Sequence, residues 1–131
     1  MKTLKNEKVF VYGTLKSGNK QRGLDRIEEG NVLIGEARTM DQTYSLYDLG
    51  MYPAAGLSGE YYIEGEVWEV TPETFKQLDA IEGYPHYYNR KQVDTTAGKA
   101  WMYYIPNIDN SWDVEDKKIT SPTKNTVSWN W

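Results

Sequence analysis

The sequence predicts an α+β domain on a mostly antiparallel, curved sheet or barrel. Three observations lead there. Short apolar or alternating runs recur at hairpin-like spacing, only one stretch carries both start and stop signals of a helix, and no internal repeat intervenes. At 131 residues the chain fits one domain with a real core.

The first strand is read over Lys8–Tyr12, within V-F-V-Y-G-T-L-K-S-G-N (residues 9–19). It stops at Gly13 and Thr14, and a glycine there marks either a turn or a place where a ligand approaches bare backbone. Residues 17–23 are loop by composition, and a short helix is expected over 24–29 with Gly30 as its stop. Val32–Ala37 and Tyr44–Tyr47 follow as strands. G-M-Y-P-A-A-G-L (50–57) reads as a bend between two short strands, and Glu60–Val70 as a half-buried strand with a bulge at Gly65.

Thr71-Pro72 opens a helix, with Thr71 as N-cap and Glu73 in the first turn, and Gly83 before Pro85 closes it. Residues 87–94 and 99–105 form a hairpin across T-T-A-G. Beyond Pro106, Asn, Asp, Ser, Lys and Thr dominate. Residues 1–106 are therefore read as the domain and 107–131 as a C-terminal appendage outside the core, whose removal from residue 110 should leave a folded protein.

Composition removes several function classes. A net charge of −4 with no Lys/Arg run argues against nucleic acid as partner and against a membrane surface. Neither an apolar run of roughly 20 residues nor a signal-peptide h-region is present, so a cytoplasmic protein is expected. Zero cysteines exclude disulfides, thiol nucleophiles and thiolate metal sites, and His86 is the single histidine. Chemistry must come from carboxylates, hydroxyls, Lys, Arg and backbone.

The sharper signal is L-D-A-I-E-G-Y-P-H-Y-Y-N-R (78–90). Phe75, Leu78 and Ile81 form an apolar helix stripe, and Glu82 projects within about 40° of its centre. Burial and the carbonyl end of the helix dipole would both raise that carboxyl's pKa toward the range of a general acid/base. The same pattern also fits a solvated helix end, the commoner outcome for a Glu beside a Gly stop, and Asp79 reads as surface. G-T-L-K-S-G-N-K lacks the spacing and hydroxyl of a phosphate loop. His86 reads as an exposed loop residue, and the many tyrosines and tryptophans as core rather than a carbohydrate groove.

Y-G-T-L (12–15) with K-S-G-N behind it, together with L-D-x-x-E-G (78–83) and Y-x-R (88–90), resembles the γ-glutamylcyclotransferase-like superfamily, nearest its γ-glutamylamine cyclotransferase and AIG2-like branch, over residues 8–105. The resemblance implies a small mixed, mostly antiparallel β-barrel with a few short helices. It implies that Gly13, Thr14 and Leu15 offer backbone N–H groups to a small γ-glutamyl substrate, that Tyr12 and Tyr88 line its pocket with Arg90 in a supporting position, and that Glu82 is the acid/base. The implied reaction closes the substrate's α-amine onto its γ-carbonyl, giving 5-oxoproline and a free amine, with no metal or other cofactor. The rival expectation is a non-catalytic binding or assembly module on the same scaffold.

Overall fold

Continuous rather than alternating burial marks the first strand. In β1 (Glu7–Val11), Val9, Phe10 and Val11 are all buried, because the strand lies inside the sheet with a packed layer on each face. Phe10 points into one cluster with Leu46, Ile63, Val67 and Met102; Val9 and Val11 point into the other with Trp68, Val70, Leu78 and Tyr103. The computed structural model describes residues 5–13, 30–121 and 124–129. The helix expected over 24–29, Thr14 and Leu15 lie outside the described residues.

The remaining strands are β2 (Val32–Arg38), β3 (Tyr44–Asp48), β4 (Pro53–Val70), β5 (Asn89–Thr95), β6 (Gly98–Tyr104) and β7 (Thr126–Val127). The sheet order is β2-β4-β1-β6-β5, with β3 and β7 also paired to β4. Pairing is antiparallel except for β1 with β6 and β4 with β7. The hairpin expected near 95–98 is present, in register from Asn89↔Tyr104 to Thr95↔Gly98.

Several expectations are corrected. First, the mixed, strand-rich α+β architecture is as expected, but the sheet is not closed into a barrel. No ladder joins β2 to β5; a single antiparallel bridge, Thr39↔Thr95, makes the two edges meet at one corner, with Met40 N–H donating to the Asp94 carbonyl at 2.8 Å. The register shift in the β2–β4 ladder falls between Leu33 and Gly35 rather than at Gly65.

Second, residues 50–57 do not separate two short strands. β4 runs unbroken for 18 residues, pairing with β3 over its first half and with β1 and β2 over its second. Its small residues serve close packing: Ala54 and Ala55 are fully buried, and a side chain at Gly59 would run into the Tyr44 backbone.

Third, the C-terminal segment does not lie outside the core. Ile108, Val127 and Trp129 are buried in the two clusters, and β7 adds to β4 at Tyr62 and Ile63. The Asp109 carboxylate accepts from Tyr47 Oη at 2.7 Å, from Ser58 N–H at 3.0 Å and from the Ser45 hydroxyl. Sparse apolar residues suffice because each is buried at a defined place in one of the two clusters.

The helix α1 (Pro72–Glu82) has the expected ends. Thr71 Oγ1 accepts from Thr74 N–H at 3.1 Å, and Gly83 takes the left-handed conformation at φ 67°, its N–H bonding back to the Ala80 carbonyl. Two members of the expected stripe face the core, Leu78 buried within it and Phe75 packed against it, but the third does not. Thr74 and Leu78 are buried, whereas Ile81 is 55% exposed. The inward row is therefore Thr74, Leu78, Glu82, at intervals of four, and Glu82 continues it.

Candidate active site

The end of β1 and the end of α1 converge on one cavity of about 230 Å³. Tyr12 and Gly13 form one wall and Glu82 with Ile81 another. Pro53 and Tyr103 come from β4 and β6, Tyr52 immediately precedes β4, and Tyr87 and Tyr88 come from the segment between α1 and β5. Four of the residues singled out in the sequence, Tyr12, Gly13, Glu82 and Tyr88, are thus brought together from segments seventy residues apart.

Gly13 is glycine for a reason internal to the fold. Its conformation is not left-handed, but a Cβ there would lie 2.6 Å from Pro53 Cγ and 2.7 Å from Pro53 Cδ. The proline ring packs against bare backbone at the strand end and shapes the pocket wall.

The tyrosine hydroxyls are turned into the protein. Tyr12 Oη donates to the Tyr103 carbonyl at 2.7 Å and accepts from Ala55 N–H at 3.0 Å. Tyr88 Oη donates to the Pro53 carbonyl at 2.6 Å, and Tyr103 Oη to Asp79 Oδ1 at 2.6 Å. Burial raises all three phenols far above their ordinary value, and Glu82's nearby charge adds to the shift of each, so they stay neutral donors. At the mouth, the Tyr52 and Tyr87 hydroxyls bond to one another at 2.8 Å, and burial followed by this bond pushes Tyr87 up to about 12.

Glu82 differs from all of these. Among the described residues no donor hydrogen-bonds its carboxylate, and burial alone pushes its pKa from 4.5 to about 7. A carboxyl poised near neutrality in a cavity, with no hydrogen-bond donor on it among the described residues, can both take and give a proton. No three His, Cys, Asp or Glu side chains cluster among the described residues in a way that would hold a metal.

Asp79, read as surface, is instead tied down one turn before Glu82. Its carboxylate takes Arg90 Nε at 2.9 Å and Nη2 at 3.3 Å besides Tyr103 Oη, and Arg90 lies over the rings of Phe75, Tyr84 and Trp101 at 4.3–4.6 Å. This clamp joins the last turn of α1 to β5 and β6. Arg90 therefore supports the pocket from behind, and His86 is exposed.

Sequence reading missed Tyr52, Pro53, Tyr87 and Tyr103 as pocket residues, and Asp79 as their support. A signal existed for two of them. Asp79 stands inside the L-D-x-x-E-G motif, and the hairpin register sets Tyr103 opposite Arg90. Nothing local to G-M-Y-P places Tyr52 and Pro53 beside a strand end forty residues earlier.

The model of the family described as gamma-glutamyl cyclotransferase, AIG2-like, matches residues 9–128. The chain belongs to that family. A Vibrio cholerae serotype O1 relative, whose name offers gamma-glutamylcyclotransferase as a proposed activity, is 39% identical over 95 residues, 72% of this chain and 78% of its own. A crystal structure of a Pyrococcus horikoshii protein shares 31% identity with a TM-score of 0.61, over 76% of this chain and 77% of that one. An AIG2-like protein of Mus musculus shares the fold at TM-score 0.68 and 24% identity, over 85% and 83% of the two chains.

Membership makes the chain an enzyme of the gamma-glutamylcyclotransferase class. The family match continues to residue 128, so it takes in the C-terminal segment that the narrower likeness over 8–105 left out. Among the described residues, no helix is long and apolar enough to cross a membrane.

Proposed function

We propose that this family member cyclises a γ-glutamyl amine or peptide to 5-oxoproline, with Glu82 as the general acid/base. The observation that carries the proposal is a carboxyl raised to about 7 inside the cavity where the β1 and α1 ends meet. The substrate's α-ammonium, with an ordinary pKa near ~8, gives a proton to the Glu82 carboxylate. The freed amine attacks the γ-carbonyl carbon, forming the ring C–N bond, and the bond to the leaving nitrogen breaks as Glu82 returns the proton to it. The attacking nitrogen sheds its second proton to the departing amine, which leaves as an ammonium. Holding the γ-glutamyl chain curled supplies the entropic advantage of an intramolecular reaction. In this reading the backbone at Gly13, with Thr14 and Leu15 beyond it, receives the γ-glutamyl group, and Tyr12 and Tyr88 shape its enclosure with ring surface.

The test is mass-spectrometric detection of 5-oxoproline from a panel of γ-glutamyl amines and peptides incubated with the full chain. Release of 5-oxoproline with stoichiometric amine is expected from at least one. Binding of panel members without any ring closure would favour a binding module on the same scaffold.

A further inference from the structure

Every tyrosine of the pocket has its hydroxyl engaged within the protein: Tyr12 and Tyr88 on backbone carbonyls, Tyr103 on Asp79, and Tyr52 and Tyr87 on each other. What these side chains offer a ligand is chiefly ring carbon, although whichever of the Tyr52 and Tyr87 hydroxyls accepts still has its own proton to donate at the mouth. Burial also grades the cavity. Tyr12, Tyr88 and Tyr103 are at most 6% exposed, whereas Tyr87 is 48% and Ile81 55% exposed at the mouth. The acyl half of a γ-glutamyl compound must reach the desolvated carboxylate, and the amine must depart toward water.

We propose that the mouth, walled by Ile81, Tyr52 and Tyr87, is a leaving-group subsite that selects large apolar amines, aromatic ones above all. The proposal rests on the cyclotransferase reading, since that reaction supplies a leaving amine. The rim is organised in advance: Tyr87 meets Tyr88 edge-on at 5.2 Å and 90°, and Tyr52 at 6.4 Å and 78°. A fixed ring gains contact with an apolar partner without first losing side-chain freedom. A carboxylate on the leaving group would meet no cationic side chain among the described lining residues and would be repelled by ionised Glu82. Arg90, behind the wall, is already held by Asp79 and three aromatic rings. A plain aromatic amine gains ring contact along the whole of this described rim, which the zwitterionic end of an ε-linked lysine does not.

Calorimetry on the Glu82→Gln full chain tests this without turnover, using γ-glutamyl-benzylamide, γ-glutamyl-methylamide and ε-(γ-glutamyl)-lysine as probes. The benzylamide should bind about 10-fold or more tighter than the methylamide, the scale expected for a partly enclosed ring. Tyr87→Ala, and separately Ile81→Ser, should shrink that ratio, whereas Tyr87→Phe should keep most of it. Equal affinities, tightest binding of the lysine compound, a ratio indifferent to both truncations, or no binding of any probe would overturn the subsite. The wild-type chain is assayed in parallel for 5-oxoproline. Benzylamide preference without ring closure would leave the subsite standing and remove the cyclotransferase reading; ring closure without preference would do the reverse.

Discussion

A carboxyl that burial holds near 7 is ionised in the fold at a cost the unfolded chain does not bear. The folded pKa of Glu82 lies above its unfolded value of 4.5, so between about 4.5 and about 7 the native state binds more protons and stability falls as pH rises. The penalty is absent below that window and complete above it, on the order of 3 kcal/mol at about 1.4 kcal/mol per unit. Glu82→Gln should flatten this slope and raise the melting temperature at pH 8, read from thermal melts across pH. At Gly13 the expectation is opposite. Gly13→Ala drives a methyl into the Pro53 ring and should cost about 1–3 kcal/mol in chemical denaturation, so loss of binding in such a variant would not by itself report on substrate. The sequence marked both positions as unusual. It revealed burial at Glu82 only as one of two outcomes, because a helix pattern cannot say what covers its last turn.

At the scale of the element, the last turn of α1 is set by caps and by a clamp. The caps were legible: Thr71, Pro72 and Gly83 act through local backbone geometry, which sequence encodes directly. The clamp was not, because Asp79 finds Tyr103 and Arg90 on a hairpin formed later in the chain. One member of the stripe departs for the same reason, since Ile81 faces the pocket mouth and not the core, while Phe75 and Leu78 pack as expected. Asp79→Asn keeps a hydrogen-bonding amide but removes the charge that holds Arg90. It should lower stability by about 1–3 kcal/mol and reduce kcat more than it raises KM, as the turn carrying Glu82 loosens. Steady-state kinetics and melts on the same preparation check both effects.

For the whole molecule, the α+β class and most strand positions followed from alternation and turn residues. Closure and the role of the C-terminal segment did not, because both depend on tertiary contacts. Gly56 reads as part of a bend but sits inside β4, where a side chain would run into Ser45 and Asp109, and the segment after 106 reads as an appendage although three of its side chains are buried in the core. Trp129 is 5% exposed, with Nε1 donating to Asp48 Oδ1 at 3.2 Å. Trp129→Ala should therefore cost about 3–5 kcal/mol. Removing residues 107–131 should yield an unfolded or insoluble chain, contrary to the expectation from composition; a cooperative melt near the full-length temperature would show the segment to be dispensable.

The measurement that bears most directly on the account is the rate of 5-oxoproline release by Glu82→Gln, taken on protein whose melt shows it folded. Glutamine keeps size and polarity but cannot carry the proton, so the rate should fall roughly 10²-fold or more while substrate affinity and stability persist. Wild-type kcat/KM should fall as pH drops through about 7, where Glu82 becomes protonated. A folded Glu82→Gln protein that releases 5-oxoproline at a near wild-type rate would contradict the assignment of Glu82 and the mechanism built on it.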